Sequence, residues 1–564
     1  MQKNYLDKIE KYLSRYFWLV ILILSIPAIW ALFVKGFFGA SDELHIAWLF
    51  EMDKTLSLSQ FPPRYVPDLS YQFGYPLFNF VFPLPFYLGE IIHKLGFNFV
   101  DSVKTVLGLS LVLSVFSMYA LLKNLTSRIN SLAGALVYLY TPYRSTDVYV
   151  RGAIGETLAF VFLPLVALSV IKITEKTSNK LWIGLGGLSL AALVLTHNIT
   201  TYMFMPFLLL LVLINLLFEF SLIKLVKVAS MIILGLLISS FFWVPALLDS
   251  SLMRYDTVFN FIDHFPTLIQ LTKPSFGYGA SVAGPYDGMS FFIGSVNWIL
   301  VLLASGIIFK NWKSLTTLRK QMAIWVLISF LSTIFMMNYR SVFLWNITPL
   351  LPFFQFPWRF LIITTFLSSF MIIFTDHFKY SKQLSLLLLL LAVGLNFSFF
   401  RPHDFLGRTD SYFINKYIPN KDISPEYRMV QEEYLRLPKD TVKRPDNLYP
   451  KAYAPDNSIK GIYEKNALES VVFIEASQSS QINISKYAFP GWIGILDGNK
   501  IDYKIGQPFS QLVFDIPAGS HKLEVMFRET SFKLFLDLIS VLFLVVALVF
   551  LWPNSTRKMK KQDD

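Results

Sequence analysis

Long apolar stretches separated by short polar ones run through most of this 564-residue chain. Each is close to the ~20 residues that a helix needs to cross about 30 Å of hydrocarbon. The pattern predicts spans near 17–37, 104–122, 129–142, 154–173, 181–197, 200–219, 225–247, 290–309, 321–337, 357–375, 383–400 and 532–552, about 12 transmembrane helices in all. Strands of a barrel would alternate apolar and polar residues instead. The first stretch, Phe17 to Phe38, is long and has no small-residue cleavage site behind it, so it reads as a retained span. One more apolar stretch, Gly74 to Leu95, carries Pro76, Pro83 and Pro85 together with Asn79, Glu90 and His93, and is expected to lie at the interface or re-enter rather than cross.

From Arg401 to Thr530 the pattern changes. Its second half, from about 469, shortens to strand-like runs at Glu469 to Ala476, Gln481 to Tyr487, Trp492 to Leu496, Gln511 to Ile516 and His521 to Phe527. Asp497-Gly498-Asn499 marks a hairpin turn. The predicted organisation is a membrane domain over 1–400 with outer loops 38–103 and 248–289, an extracytoplasmic domain over 401–530, and a last span with a basic tail over 531–564.

Charge orients the spans, because short cytoplasmic loops are enriched in Lys and Arg. Lys3, Lys8, Lys11 and Arg15 place the N-terminus inside, and Arg557, Lys558, Lys560 and Lys561 place the C-terminus there too. Loops holding Lys123 and Arg128, Lys172, Lys176 and Lys180, Lys224 and Lys227, Lys310 to Lys320, and Lys379 and Lys382 agree only if the proline-rich stretch does not cross. The net charge of +12 is met by inner-leaflet anchoring and asks for no nucleic acid. With 54% hydrophobic and 16% charged residues, the chain cannot clothe a soluble globule. Having no cysteine, it has no disulfide, thiolate metal site or cysteine nucleophile. No internal repeat is visible, so a duplicated transporter architecture is not supported.

Candidate chemistry begins at Ser41-Asp42-Glu43-Leu44-His45, where the first span emerges. Asp42 either caps the short helix that follows or serves as a general base toward an acceptor hydroxyl. His45 assists it, joins it on a divalent metal, or is a surface histidine. Arginines at the outer face form a second group: Arg64, Arg151 and Arg359 clamp phosphate through their forks of donors or snorkel toward headgroups, and Arg144, Arg254 and Arg340 read as snorkelling. Glu156, at the start of a span, needs a partner in Arg151 or Arg144. His197 stands at an outer span end and packs or faces the same cavity.

The acidic pair after the first span, the proline-rich stretch, the many spans and the outer C-terminal domain resemble the GT-C superfamily of membrane glycosyltransferases. Asp42 to His45, Phe61-Pro62-Pro63-Arg64-Tyr65, Phe73-Gly74-Tyr75-Pro76 and Phe354-Gln355-Phe356-Pro357-Trp358-Arg359 are similar to two bacterial membrane families, one labelled 6-pyruvoyl-tetrahydropterin synthase-related and one YfhO-like. The second is also matched by Phe489-Pro490-Gly491-Trp492 with Leu496-Asp497-Gly498. The pterin label implies no function, since the chain lacks the histidine spacing of a pterin synthase zinc site. The resemblance implies a multi-pass protein of the bacterial plasma membrane that moves a sugar from a polyprenyl-phosphate donor to an extracytoplasmic glycan, lipid or polymer. Asp42 is then the base, ahead of Glu43 and His45. Arg64, Arg151 and Arg359 contact the donor phosphate, Tyr75, Glu156, His197, Gln355 and Trp358 line the cavity, and a divalent cation, Mg or Mn, stays open. The outer domain, with Trp492, either stacks acceptor glycan or caps the site. The competing classes are a flippase of lipid-linked glycans, which should carry ionisable groups along several mid-spans, and a non-catalytic envelope protein.

Overall fold

The computed structural model describes residues 2–175, 179–254, 260–430 and 435–552, so Lys176 and the basic tail from Arg557 lie outside the described residues. Among these residues, nine helices are long and apolar enough to cross a membrane: Arg15–Phe33, Phe99–Leu122, Ile154–Thr174, Asn198–Phe218, Ser295–Ser314, Thr317–Met337, Pro357–His377, Ser381–Phe399 and Ser531–Leu551. A pair of helices, Leu222–Ile238 and Ser240–Leu252, is apolar enough together to be a tenth span and is bent by 72° at its break, the shape of a broken span or a re-entrant loop. Two of the twelve expected spans fall short. Lys180–Thr196 has 17 residues. Arg128–Leu139 has 12, about 18 Å at 1.5 Å per residue, little more than half the hydrocarbon thickness. The apolar run continues past its end through Tyr140-Thr141, but Pro142 cannot continue the helix and opens a separate turn, Pro142–Ser145. The proline-rich stretch folds as Leu77–Phe80 and Leu84–Lys94, the longer of them 11 residues and too short to cross.

Helix starts follow their capping side chains. Oxygens of Asn98, Ser127, Thr316 and Thr530 each accept the backbone N–H three residues on, satisfying donors that a new helix leaves open. Beyond the eleventh apolar stretch, the short helices Asp410–Tyr417 and Pro425–Val430 lie against the membrane part, and Phe413, Tyr417 and Ile418 belong to its buried core.

The domain after the eleventh apolar stretch is an antiparallel β-sandwich. Its strands are β1 (Ala452–Tyr453), β2 (Ile459–Asn466), β3 (Glu469–Ala476), β4 (Ser480–Tyr487), β5 (Trp492–Leu496), β6 (Asn499–Ile501), β7 (Lys504–Ile505), β8 (Gln511–Ile516) and β9 (Gly519–Phe527). One sheet runs β2-β3-β9-β5-β6 and the other β1-β4-β8-β7. Alternation buries one face of β9, with Leu523, Val525 and Phe527 inward. Leu496 pairs with Asn499 across Asp497 and Gly498 at φ +50° and +87°, the two positive dihedrals of a tight hairpin turn. Between the sheets, a Cβ on Gly494 would come within 2.2 Å of the Phe514 ring, so only glycine lets that ring enter. Trp492 is buried against Tyr65 and Phe527, centroids 5.4 Å away in each case, which removes it as a platform for glycan.

That contact shows how the sandwich is tied down. Tyr65, from the long loop after the first span, is a member of the sandwich core, and its hydroxyl donates to the carbonyls of Phe73 (2.6 Å) and Tyr487 (3.2 Å). Lys486 is buried and its Nζ donates to the carbonyls of Pro67 (3.3 Å) and Gln72 (2.9 Å) in the same loop. Burial away from water lowers its pKa from 10.5 to about 7, and Lys451 adds to the shift while Asp68 and Glu464 oppose it. The unfolded chain keeps this proton up to its own, higher pKa, so between the two values it binds one proton more than the folded chain. Stability should therefore rise with pH in that window by about 1.4 kcal/mol per unit. Hydrogen exchange of the 66–75 amides from pH 7 to 9 should show protection growing with pH in the wild type, and a flat profile in Lys486→Met.

Candidate active site

The turn after the first span is fixed from behind by backbone bonds: Ser41 N–H to the Val150 carbonyl (3.2 Å) and Asp42 N–H to that of Arg151 (2.7 Å). These partners end a π-helical turn, Thr146–Arg151, a winding often found at functional positions. Gly152 follows at φ +71°, and a Cβ there would stand 3.1 Å from the Ala40 Cβ, so glycine allows the two segments to close. Its carbonyl lies 3.3 Å from His45 Nδ1, which fixes that nitrogen as the protonated one. His45 heads the helix His45–Ser57 and is buried beside Trp48 and Phe86. Burial lowers its pKa, with Asp42 partly opposing, so the imidazole stays neutral.

Arg151 organises the charges around this turn. Its Nη1 is 2.6 Å from Asp147 Oδ1 and 2.7 Å from Glu156 Oε2, and its Nη2 is 3.6 Å from Asp42 Oδ2. Its guanidinium carbon lies 5.0 Å from the Trp358 ring centroid. Glu156 also accepts the Tyr143 hydroxyl and stands 3.7 Å from Arg359 Nε. Arg359 donates to the Phe354 carbonyl (3.0 Å) and to Gln355 Oε1 (2.7 Å). Gln355 holds φ +68° and ψ −51°, a sparsely populated conformation for a side chain this size. Phe356 and Phe291 stack on Trp358 at 4.9 and 5.8 Å. His197 caps the helix Asn198–Phe218 and lies edge-on to Phe82, whose ring covers Gly155 next to Glu156.

The fold therefore brings together Asp42, His45, Arg151, Glu156, His197, Gln355, Trp358 and Arg359 of the residues singled out in the sequence. Asp42 stands apart among the carboxylates: its side chain is 30% exposed, against 1% for Asp147 and Glu156.

Three candidates stand elsewhere. Glu43 is buried and bound by Arg408 (2.8 Å), Lys416 (2.5 Å) and Tyr417 (3.4 Å), which fastens the 401–430 segment to the membrane part. Both of its carboxylate oxygens are thus engaged, Oε2 by Arg408 and Oε1 by Lys416 and Tyr417. Glu43→Gln should lower the thermal midpoint by the equivalent of about 1–3 kcal/mol, since Arg408 and Lys416 keep some water, and differential scanning of wild type and variant checks this. Arg64, fully buried, is bound to Glu529 (3.4 Å), Asp537 (2.9 Å) and the Phe241 carbonyl (2.6 Å), so it joins the loop after the first span to the last span. The Tyr75 hydroxyl accepts the Arg436 N–H at 2.9 Å. Arg144 does not snorkel: it is buried over the Phe160 ring at 3.9 Å and donates to Ser114.

Asp147 and Tyr143 were not anticipated. The i, i+4 spacing of Asp147 and Arg151 was the available signal, hidden because the stretch lay next to an apolar run read as a span. Among the described residues, no three His, Asp or Glu side chains are grouped to hold a metal ion. The carboxylates nearest Asp42 are already committed to Arg151, so this donor set does not fit a divalent cation, and no step below is routed through one.

Solved structures with a similar chain course include ArnT of Cupriavidus metallidurans in the apo state (12% identity, TM-score 0.39, 64% of this chain and 60% of that one), the arabinofuranosyltransferase AftD from Mycobacteria (15%, 0.42, 69% and 27%) and the oligosaccharyltransferase of Archaeoglobus fulgidus (12%, 0.43, 78% and 61%). This chain thus spans less than two thirds of the length of each. No curated protein matches it. Residues 78–402, more than half of the chain, match the 6-pyruvoyl-tetrahydropterin synthase related domain, described as a membrane protein. The matched stretch holds Arg151, Glu156, His197, Trp358 and Arg359, and by this match the chain belongs to the 6-pyruvoyl-tetrahydropterin synthase related family of membrane proteins.

Proposed function

We propose that this protein is a glycosyltransferase of the bacterial plasma membrane that moves a sugar from a polyprenyl-phosphate donor to an extracytoplasmic glycan, lipid or polymer, with Asp42 as general base. The observation that carries the reading is the contrast within one charged cluster: Asp147 and Glu156 are sealed and neutralised, while Asp42 keeps a solvent-facing carboxylate at 3.6 Å from its nearest cation. In the reaction, Asp42 takes the proton of an acceptor hydroxyl as that oxygen bonds to the anomeric carbon. The bond from the anomeric carbon to the phosphate oxygen breaks, and the lipid phosphate leaves with the electron pair. Arg151 Nη2 and Arg359 face the departing charge, and their forks suit a phosphate. His45, neutral and hydrogen-bonded to Gly152, holds the turn that presents Asp42. Both termini are cytoplasmic in this reading and the cluster opens outward.

Purified protein in liposomes with radiolabelled polyprenyl-phosphate sugars tests it. A new glycoside is expected with the wild type and not with Asp42→Asn. Movement of intact donor across the bilayer, with no new glycoside from any donor, would move the flippase reading ahead.

A further inference from the structure

A cavity of about 370 Å³ lies outside the spans and shares no residue with the Asp42 cluster. Its size is within the roughly 300–1,000 Å³ of small-molecule sites. Three segments distant in sequence form the walls: Ser251–Leu252, Pro438–Asp440, and the turns of the sandwich around Pro490 and Tyr503.

Those walls are stitched together. Lys439 N–H donates to the Leu252 carbonyl (2.8 Å) and Arg254 N–H to that of Leu437 (2.9 Å). Tyr503 donates its hydroxyl to the Phe489 carbonyl (3.2 Å), and Ala488 N–H donates to that of Ser510 (2.8 Å). The position is equally determined. Phe489, on the cavity's inner side, packs its ring 4.6 Å from Lys533 Nζ, which pairs with Asp249 at 2.9 Å at the head of the last span. The cavity therefore stands beside the head of the last span, where the sandwich meets the membrane part.

The lining sets the ligand chemistry. Leu252, Pro490, Ile505 and the Tyr503 ring offer apolar surface, while Lys439 and Asp440 are exposed at the rim. Among the described residues, neither of these two charged ends enters an ion pair. Their charges sum to zero, the neighbouring Lys533 and Asp249 pair with each other, and the Arg254 guanidinium is taken up by the carbonyls of Lys439 and Thr441, so an anion finds no cluster of uncommitted cations here. A ligand with apolar C–H faces and a rim of hydroxyls, each able to donate and accept, answers both halves of the lining. We propose that this cavity binds a neutral saccharide, one or two rings of the acceptor glycan. Its role as an acceptor site rests on the transferase reading; saccharide binding itself does not.

The test is saturation-transfer NMR on the full chain in lipid nanodiscs, with maltose, cellobiose and N,N′-diacetylchitobiose as saccharide probes and glycerol phosphate as an anionic headgroup probe. The variants are Ile505→Glu and Lys439→Ala, both at exposed positions, and Asp42→Asn. At least one saccharide is expected to receive saturation, to bind about tenfold more weakly in the two cavity variants, and to bind unchanged in Asp42→Asn. No saccharide signal, a signal indifferent to both cavity variants, or a signal from glycerol phosphate alone would overturn the proposal. Absence of saccharide binding in a wild type that still forms glycoside sinks the cavity and spares the transferase. Binding intact with no glycoside formed by the wild type sinks the acceptor role and leaves a saccharide site.

Discussion

Asp42→Asn is expected to lower sugar transfer by a factor of about 10²–10⁴, the usual contribution of a positioned general base, with the thermal midpoint close to that of the wild type. Asparagine keeps the size and the backbone bond to Arg151, and it removes the negative charge and the proton-accepting oxygen. Little stability is lost with the charge, because the Asp42–Arg151 separation of 3.6 Å on a partly exposed side chain is that of a weak pair, worth about 0–1 kcal/mol. Glu43→Gln is the matched control. Its carboxylate is taken up by Arg408 and Lys416, so it should cost stability and leave the rate per folded molecule near that of the wild type. A variant pair with these two outcomes exchanged, Glu43 silencing the rate and Asp42 only the midpoint, would move the base to Glu43.

Arg151→Met should be the most destabilising single substitution in the cluster, by about 3–5 kcal/mol. It strips the countercharge from Asp147 and Glu156, both shut away from water. Either carboxylate must then take a proton or draw water into a packed wall that includes Tyr143, Thr157 and Trp358. Thermal unfolding in detergent measures the loss. Adding Asp147→Asn and Glu156→Gln to Arg151→Met should recover much of it, because the stranded charges are then gone. The two sets of changes share partners and will not add. An Arg151→Met protein as stable as the wild type would show that these carboxylates are uncharged in the fold.

The β-sandwich was legible because its strands are short apolar or alternating runs separated by turns: β3, β5 and β8 coincide with the ranges read from the sequence. β2 was missed. Its residues Ile459–Asn466 are mostly exposed, which leaves no apolar period to see. The span count failed where an apolar run outlasted its helix, at Arg128–Leu139, since hydropathy registers burial in protein and burial in lipid alike. That same stretch hid Asp147. Site residues just after the first span were legible as residue types, and the resemblance ranked Asp42 ahead of Glu43, but the physical difference between the two was not legible. It depends on Arg408 and Lys416, more than 360 positions downstream. Arg64 was misplaced for the same reason, its partners Glu529 and Asp537 lying at the far end of the chain.

Tyr65 completes the sandwich core from 422 positions upstream of its partner Tyr487. During synthesis, the loop that carries it is made long before the strands that will enclose it exist. Its aromatic side chains must wait, uncovered, while every intervening helix is inserted, and loop closure over so many residues is the slow kind of contact. An excised sandwich would meet the converse fate, with a hole where Tyr65 belongs. The two ends of this polypeptide become one folded object only after the last strand is delivered.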